Sequence, residues 1–320
     1  MKNKKSNQPK LVVHVDIDSP IKLMNFYQIK GIKFETKDLE MFYETSLNRA
    51  LQFFEKHNVK ATFFVVGDEL ESSKVIQKVI LKVHEAGHEI ENHTYSHPFG
   101  LATLSDDNII YEIKKCSEII ELVTGRTPIG FRSPGYSINS KIINLLQDNG
   151  FKYDSSGFWS IMNPILKSSH KLLFKNGLKN EGFGYVTRKL GQKPYTPDTD
   201  NWLLRSNNNR KFWELPLPRT GILGLPFYNN FNLWTPSAYA NLISKFISKP
   251  YIVYLFHIIE FMDLNDSIPH ELNVHPNLTI PLNKKIKRAE KIMTNLYTRY
   301  KLINTEKLVQ ELADETNVLV

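Results

Sequence analysis

His93 and His97, four residues apart in His93-Thr94-Tyr95-Ser96-His97, can turn their imidazoles to one side if the stretch coils helically. Such a pair could hold a metal ion. Pro98, directly after it, would end the turn, because a proline disfavours the α conformation in the residue before it. A metal held this way still needs an anionic ligand. Far upstream, Val12-Val13-His14-Val15-Asp16-Ile17-Asp18 alternates apolar and polar residues and ends in two carboxylates. A buried strand reads this way where its C-terminal end opens into a site. Each half also has a plainer reading. Histidine pairs at this spacing are common without a metal, and carboxylates at a strand end also cap turns.

The elements that must position these residues follow from the apolar periodicity. Residues 11–17 read as the first strand, and 19–37 as a loop without period. Leu39, Tyr43, Leu47, Leu51 and Phe54 recur at helical spacing, predicting a helix over 38–57. Residues 60–67 form a continuous apolar strand of the kind buried on both faces in a parallel sheet. A helix over 72–86 stops at Gly87, and a short strand from that glycine delivers His93. Ser105 caps a helix with Asp106 and Asp107 in its first turn and Ile109, Ile113, Cys116, Ile120 and Val123 on its apolar face. Short strands at 129–132 and 151–154 flank a helix over 138–149. Residues 220–234 read as a rim loop, 251–257 as the last core strand, and 284–300 and 305–313 as helices. Strands alternating with helices imply right-handed βαβ units and a parallel sheet. Asp16, Asp18, the histidines, Arg132, Asp154 and His257 all fall at strand ends, where such folds build their sites.

Of the 320 residues, 41% are hydrophobic and 23% charged, an ordinary soluble composition with core enough to need no crosslinks. The single cysteine, Cys116, excludes an internal disulfide and fits a reducing compartment. Residues 1–10 are expected to be a disordered basic tail, and 11–320 one catalytic domain. The apolar run after the tail is too short for a signal peptide or a membrane span, which predicts a cytoplasmic protein. The net charge is +8, partly concentrated between 161 and 194, where Lys167, Lys171, Lys175, Lys179, Arg188, Lys189 and Lys193 face only Glu181. This is either a solvated face or a surface for phosphates: a nucleotide-linked sugar, a lipid-linked sugar or peripheral contact with an anionic membrane. No motif for reading nucleic acid is present. Residues 155–210 read as an elaborated insertion, too long for an ordinary connection.

Taken in order, the motifs resemble those of the NodB-type polysaccharide deacetylases, over residues 11–260 except 160–210. Asp16-Ile17-Asp18 stands where the family usually writes Thr-Phe-Asp-Asp, in the form seen in its cytoplasmic branches. His93 to His97 match His-Ser/Thr-x-x-His residue for residue. Arg132-Ser133-Pro134-Gly135-Tyr136 resembles the third motif with altered spacing, and Tyr153-Asp154-Ser155-Ser156 with Trp159 the fourth. Leu255-Phe256-His257 resembles the fifth, and Ile258-Ile259-Glu260 its His-Pro-Trp-Glu ending with Pro and Trp replaced. Phe158 stands where the family often has an aspartate before the tryptophan.

The resemblance implies a distorted parallel (β/α) barrel and a metal-dependent hydrolase. Its substrate would be the N-acetyl or N-formyl group of an amino-sugar unit in a glycan or cell-envelope polysaccharide precursor. Asp18, His93 and His97 would hold a divalent metal, by preference Zn2+, although two histidines and a carboxylate also describe non-haem iron sites. Asp16 would be the general base and Arg132 would keep it ionised. His257 would be the general acid, with Asp154 as its orienting partner in place of the missing aspartate. The Tyr136 backbone N–H would assist at the oxyanion, and Pro134 and Trp159 would face the substrate. His14 reads as a strand residue without a catalytic role. The alternatives are a hydrolase of a linear amide or ureido compound, and a catalytically silent sugar-binding homologue.

Overall fold

Strand β1 (Lys10–Asp16) is buried along almost its whole length because it is paired on both edges. The computed structural model describes residues 8–161, 191–206, 211–221, 224–266 and 268–317. On one side β1 runs parallel to β7 (Tyr251–His257), from Lys10 opposite Tyr251 to Asp16 opposite His257. On the other it pairs with β2 (Thr62–Val65) near its C-terminal end, and with β8 (Lys301–Leu302) near its start. The sheet continues through β3 (Glu89–Asn92), β4 (Gly130–Phe131), β5 (Tyr153–Asp154) and β6 (Trp213–Glu214). Its order is β6-β5-β4-β3-β2-β1-β7, and every strand pair is parallel. Among the described residues β6 and β7 do not pair. The sheet is thus the curled, open form of the expected (β/α) barrel.

Period-two alternation on β1 sorts its side chains. Leu11, Val13 and Val15 join the core between the sheet and its outer helices. Val12 faces the second core, with Phe64, Tyr153, Leu255, Leu308 and Leu312. His14 and Asp16 share the parity of Val12, so they point to that inner side. The outer helices are α1 (Pro20–Tyr27), α2 (Thr36–Lys56), α3 (Gly67–Ser72), α4 (Lys74–Glu85), α5 (Asp106–Thr124) and α6 (Ser140–Asp148). After β6 come α7 (Asn229–Trp234), α8 (Ser237–Phe246), α9 (Leu282–Tyr297) and α10 (Thr305–Asn317). Ser105 caps α5 as predicted, accepting from the Asn108 N–H, and Gly125 closes it in the left-handed region at φ 72°.

Several expectations need correction. Residues 19–37 are not all loop: Ser19 caps α1 and Pro20 opens it, a Ser-Pro start that was readable in the sequence. Residues 220–234 end in a helix, α7. Lys10, expected in the tail, begins β1, while residues 1–7 lie outside the described residues. So do 162–190, and with them the basic cluster and the phosphate or membrane partners expected for it, apart from the exposed Lys193. Among the described residues no helix is long and apolar enough to cross a membrane.

Phe54 on α2 packs edge-on against Phe63, Phe256 and Phe261 at ring-centre distances of 6.0, 5.7 and 6.0 Å. Phe54→Ala would leave a cavity behind the strands that carry the site. Its expected cost is about 3–5 kcal/mol of unfolding free energy, read from the urea midpoint.

Candidate metal and acid–base site

Parallel strands deliver all their C-terminal ends to one rim, and the candidate residues gather there. Asp18 lies two residues past β1, and His93 directly follows β3. Asp18 Oδ1 stands 3.0 Å from His97 Nε2 and 3.5 Å from His93 Nε2. The three residues can present ligand atoms all within 4.8 Å of one another. Asp18 Oδ1 is buried without a hydrogen-bond donor, an orphan that a cation would satisfy. Burial also lowers the His97 pKa, which favours the neutral, ligating imidazole. His93 Nδ1 lies 2.7 Å from the Arg132 carbonyl oxygen. A carbonyl only accepts, so Nδ1 carries a proton, and Nε2 is the ring nitrogen turned towards Asp18 and free to ligate. Two imidazoles and one carboxylate form a donor set that suits a divalent ion of the zinc type.

The histidine stretch is not the helical turn expected from its spacing. Thr94 and His97 take left-handed backbone at φ 68° and 60°. Neighbouring elements hold them there. Asn92 accepts from the Thr94 N–H at 2.8 Å and donates to the Ile113 carbonyl at 2.8 Å. The Gly67 and Asp68 N–H groups at the start of α3 donate to the carbonyls of Thr94 and Tyr95 at 3.0 and 2.8 Å. Glu112 on α5 accepts from both the N–H and the hydroxyl of Ser96, at 2.7 and 2.6 Å. Lys22 on α1 donates to the Ser96 carbonyl at 3.3 Å and pairs with Asp68 at 2.7 Å. A Cβ at Gly67 would meet Tyr95 and Cys116 at 3.0 to 3.2 Å, which explains the glycine. Sequence reasoning missed all these supports. Glu112 carried a signal, being an acid directly beside Ile113 on the buried face of α5.

The candidate acid–base residues stand beside the candidate ligands. Asp16 and His257 are register partners across β1 and β7, with His257 Nε2 3.9 Å from Asp16 Oδ2. Arg132, with no exposed surface, donates to Asp16 Oδ1 at 3.1 Å and to the Ser155 hydroxyl at 2.8 Å. Its Nη2 also lies 2.7 Å from His14 Nδ1, so His14 is no bystander of the strand. His257 Nδ1 faces Glu260 Oε1 at 3.4 Å, and the other oxygen of Glu260 accepts from Asn229 at 2.5 Å. Burial pulls the His257 pKa down, but Glu260, Asp16 and Asp18 outweigh it and raise it to about 9.

Two expected roles need correction. The carboxylates beside His257 are Glu260 and Asp16. Asp154 instead accepts from the Ser156 hydroxyl at 2.6 Å and its N–H at 3.0 Å, next to Glu214. The Tyr136 N–H donates to the Ser133 carbonyl at 3.0 Å, so it is committed to its own turn rather than to an oxyanion. Pro134 is buried at the start of that turn. The Tyr136 ring packs on Phe158 at 5.1 Å, and Tyr228 bridges from Phe158 towards His257 at 5.9 and 6.4 Å. Trp159 lies under the Arg219 guanidinium at 4.2 Å. On the ligand side Phe99 packs on His97 at 4.9 Å and Phe26 on Phe99 at 5.4 Å.

With this geometry in place, the chain can be set against known proteins. A family model for polysaccharide deacetylases matches residues 34–153. That segment holds His93, His97 and Arg132, while Asp16, Asp18, Asp154 and His257 lie outside it. A peptidoglycan deacetylase of Helicobacter pylori is 32% identical over 115 residues, 35% of this chain and 37% of that protein. A peptidoglycan-N-acetylglucosamine deacetylase of Bacillus cereus is 37% identical over 86 residues, 27% of this chain and 30% of that protein. The chain thus spans about a third of the length of the curated relatives it matches. A structure from Mycobacterium smegmatis, provisionally described as a polysaccharide deacetylase, superimposes with a TM-score of 0.62. It covers 98% of this chain and 93% of its own at 16% identity, a likeness of fold.

The ligand geometry predicts that purified protein dialysed against zinc retains about one ion per chain, as three-ligand sites do. Elemental analysis should find it, and the double variant His93→Ala/His97→Ala should lose it. Metal retained by that variant would place the ion elsewhere.

Proposed function

We propose that the chain is a member of the NodB-type polysaccharide deacetylase family, as its matches to that family support, and that it hydrolyses the N-acyl group, acetyl or formyl, of an amino-sugar unit in a glycan. The observation that carries this reading is the pairing of Asp16 with His257 at one end of the sheet, beside the ligand triad and over a buried Arg132. A divalent ion held by Asp18, His93 and His97, most simply Zn2+, would lend Lewis acidity to the acyl oxygen and to the attacking water.

The chain's own residues supply the proton transfers. Arg132 donates to Asp16 Oδ1, which orients the carboxylate and leaves Oδ2 to take a proton from water. The oxygen of that water bonds to the acyl carbon. His257 is protonated at neutral pH, with its pKa at about 9, and its Nε2 gives the proton to the amine as the carbon–nitrogen bond breaks. Glu260 holds that imidazolium from the other side. The products are the free carboxylic acid and the amino sugar. The aromatic groups around His97 and His257, Phe99 and Tyr228 among them, suit the apolar faces of a sugar ring. A cytoplasmic setting belongs to the proposal too, supported by the buried free thiol of Cys116.

A silent sugar-binding homologue is the second reading, and it has no use for a buried arginine against Asp16. Asp16→Asn separates the two. Turnover of an N-acetylated chitooligosaccharide should fall by about 100-fold or more while zinc is retained. Wild-type protein that binds the sugar without releasing acetate would overturn the hydrolase.

Glu260→Gln tests the acid. His257 acts in its protonated form, so activity is lost as pH rises through its pKa. Removing the Glu260 charge lowers that pKa from about 9, so the alkaline limb of kcat/KM should move to lower pH. An unmoved limb would remove Glu260 from this role.

A further inference from the structure

Behind Arg132 runs a buried chain of hydrogen bonds whose direction is fixed from both ends. Arginine only donates, so His14 Nδ1, 2.7 Å from Arg132 Nη2, must accept. That leaves the His14 proton on Nε2, which lies 2.9 Å from the Thr305 hydroxyl. At the far end Glu89 accepts the Thr62 hydroxyl at 2.5 Å, and also the Thr305 and Glu306 N–H groups at 3.1 and 2.9 Å. Those N–H groups open α10, where a carboxylate is favoured. The Thr62 proton is therefore spent on Glu89. The 2.6 Å contact between the two threonine hydroxyls must carry the proton of Thr305. Each hydroxyl has one proton, so with Glu89 ionised, as its two N–H donors at the start of α10 favour against the burial that raises its pKa, the chain runs from Arg132 through His14, Thr305 and Thr62 to Glu89. All five residues are buried. Burial and the adjacent Arg132 hold the His14 pKa well down, in keeping with a neutral ring that accepts.

We propose that His14 is a positioning residue: through Thr305, Thr62 and Glu89 it anchors the Arg132 guanidinium against Asp16, and so makes α10 part of the support of the general base. The proposal rests on the functional reading above for its catalytic consequence. Its structural content stands apart. The Arg132 Nη2 proton towards His14 is buried and needs an acceptor, and β1 supplies it two residues before Asp16, on the same face of the strand. His14 touches no reacting atom, and its effect reaches the chemistry through Arg132 alone.

Thr305→Val replaces one hydroxyl by a methyl of the same size, on an element remote from the metal ligands. Measured on zinc-loaded protein with an N-acetylated chitooligosaccharide, it should lower kcat by about tenfold, the size of effect that outer-shell partners have. KM and zinc affinity should hold. Thr305→Ser, which keeps the hydroxyl, should recover most of the loss, and His14→Leu should lose about 100-fold. Folded Thr305→Val and His14→Leu proteins with kcat within about twofold of wild type would overturn the proposal. A second readout does not depend on turnover. Nitrogen-15 spectra should show His14 neutral with its proton on Nε2, and the Arg132 guanidinium resonances should move in Thr305→Val. A His14 proton on Nδ1, or Arg132 resonances unmoved in Thr305→Val, would overturn it. Wild-type protein inert on the sugar would count against the substrate reading alone, and these spectra would then decide the anchoring chain.

Discussion

A guanidinium without exposed surface must find partners for its charge inside the protein, because arginine does not discharge. Arg132 is that group here, and the site is built around its needs. Its side chain is met by Asp16, His14 and Ser155, and its flat face lies 4.7 Å from the Phe64 ring. Its main-chain carbonyl takes the Nδ1 proton of His93. One residue thus orients both halves of the proposed site: Asp16 through its side chain, and His93 through its backbone. Its own N–H donates to the Asn92 carbonyl at 3.0 Å, which fixes Arg132 to the strand that delivers His93. A change at Arg132 cannot be confined to Asp16, because His93 leans on the same peptide.

The parallel sheet is what lets one arginine reach so far. Each strand ends at the same rim, so groups distant in sequence become lateral neighbours. Asp16 and His257 are 241 positions apart in the chain and directly opposite in register. The strands beyond β3 are two residues each, enough to set a rim residue and no more. The long strands β1 and β7 at one end of the sheet supply burial, and the short ones towards β6 supply placement.

Much of this was legible in the sequence, for reasons that can be named. The alternation on β1 and the helical stripes of α2 and α5 are dictated by burial, and burial leaves a periodic trace. The convergence of Asp18, His93 and His97 followed from strand ends sharing a rim. What stayed hidden depends on backbone detail that periodicity does not encode. The histidine loop is left-handed at Thr94 and His97 because Asn92, Glu112, Lys22 and the start of α3 grip it from four places. The role of His14 was hidden because its partner Thr305 comes 291 positions later. The carboxylate at His257 was misassigned for a related reason. Glu260 sits three residues on, in a 3-10 turn over Ile258–Phe261, and only that turn brings its side chain back to the imidazole.

The position of Asp154 then acquires its own explanation. It is buried beside Glu214, and two carboxyl groups in contact away from water cannot both ionise. Burial and the neighbouring Asp154 push Glu214 well above the usual carboxylate range, so Glu214 is the partner that keeps the proton. Asp154 remains the acceptor and takes both the hydroxyl and the N–H of Ser156. The Ser156 oxygen in turn accepts the Ser133 N–H at 2.8 Å, and Ser133 follows Arg132 in the chain. Ser155, between them, accepts from Arg132 itself. The carboxylate expected to steady the acid on β7 therefore steadies the segment that carries Arg132. His257 is left to Glu260, which the turn after β7 supplies.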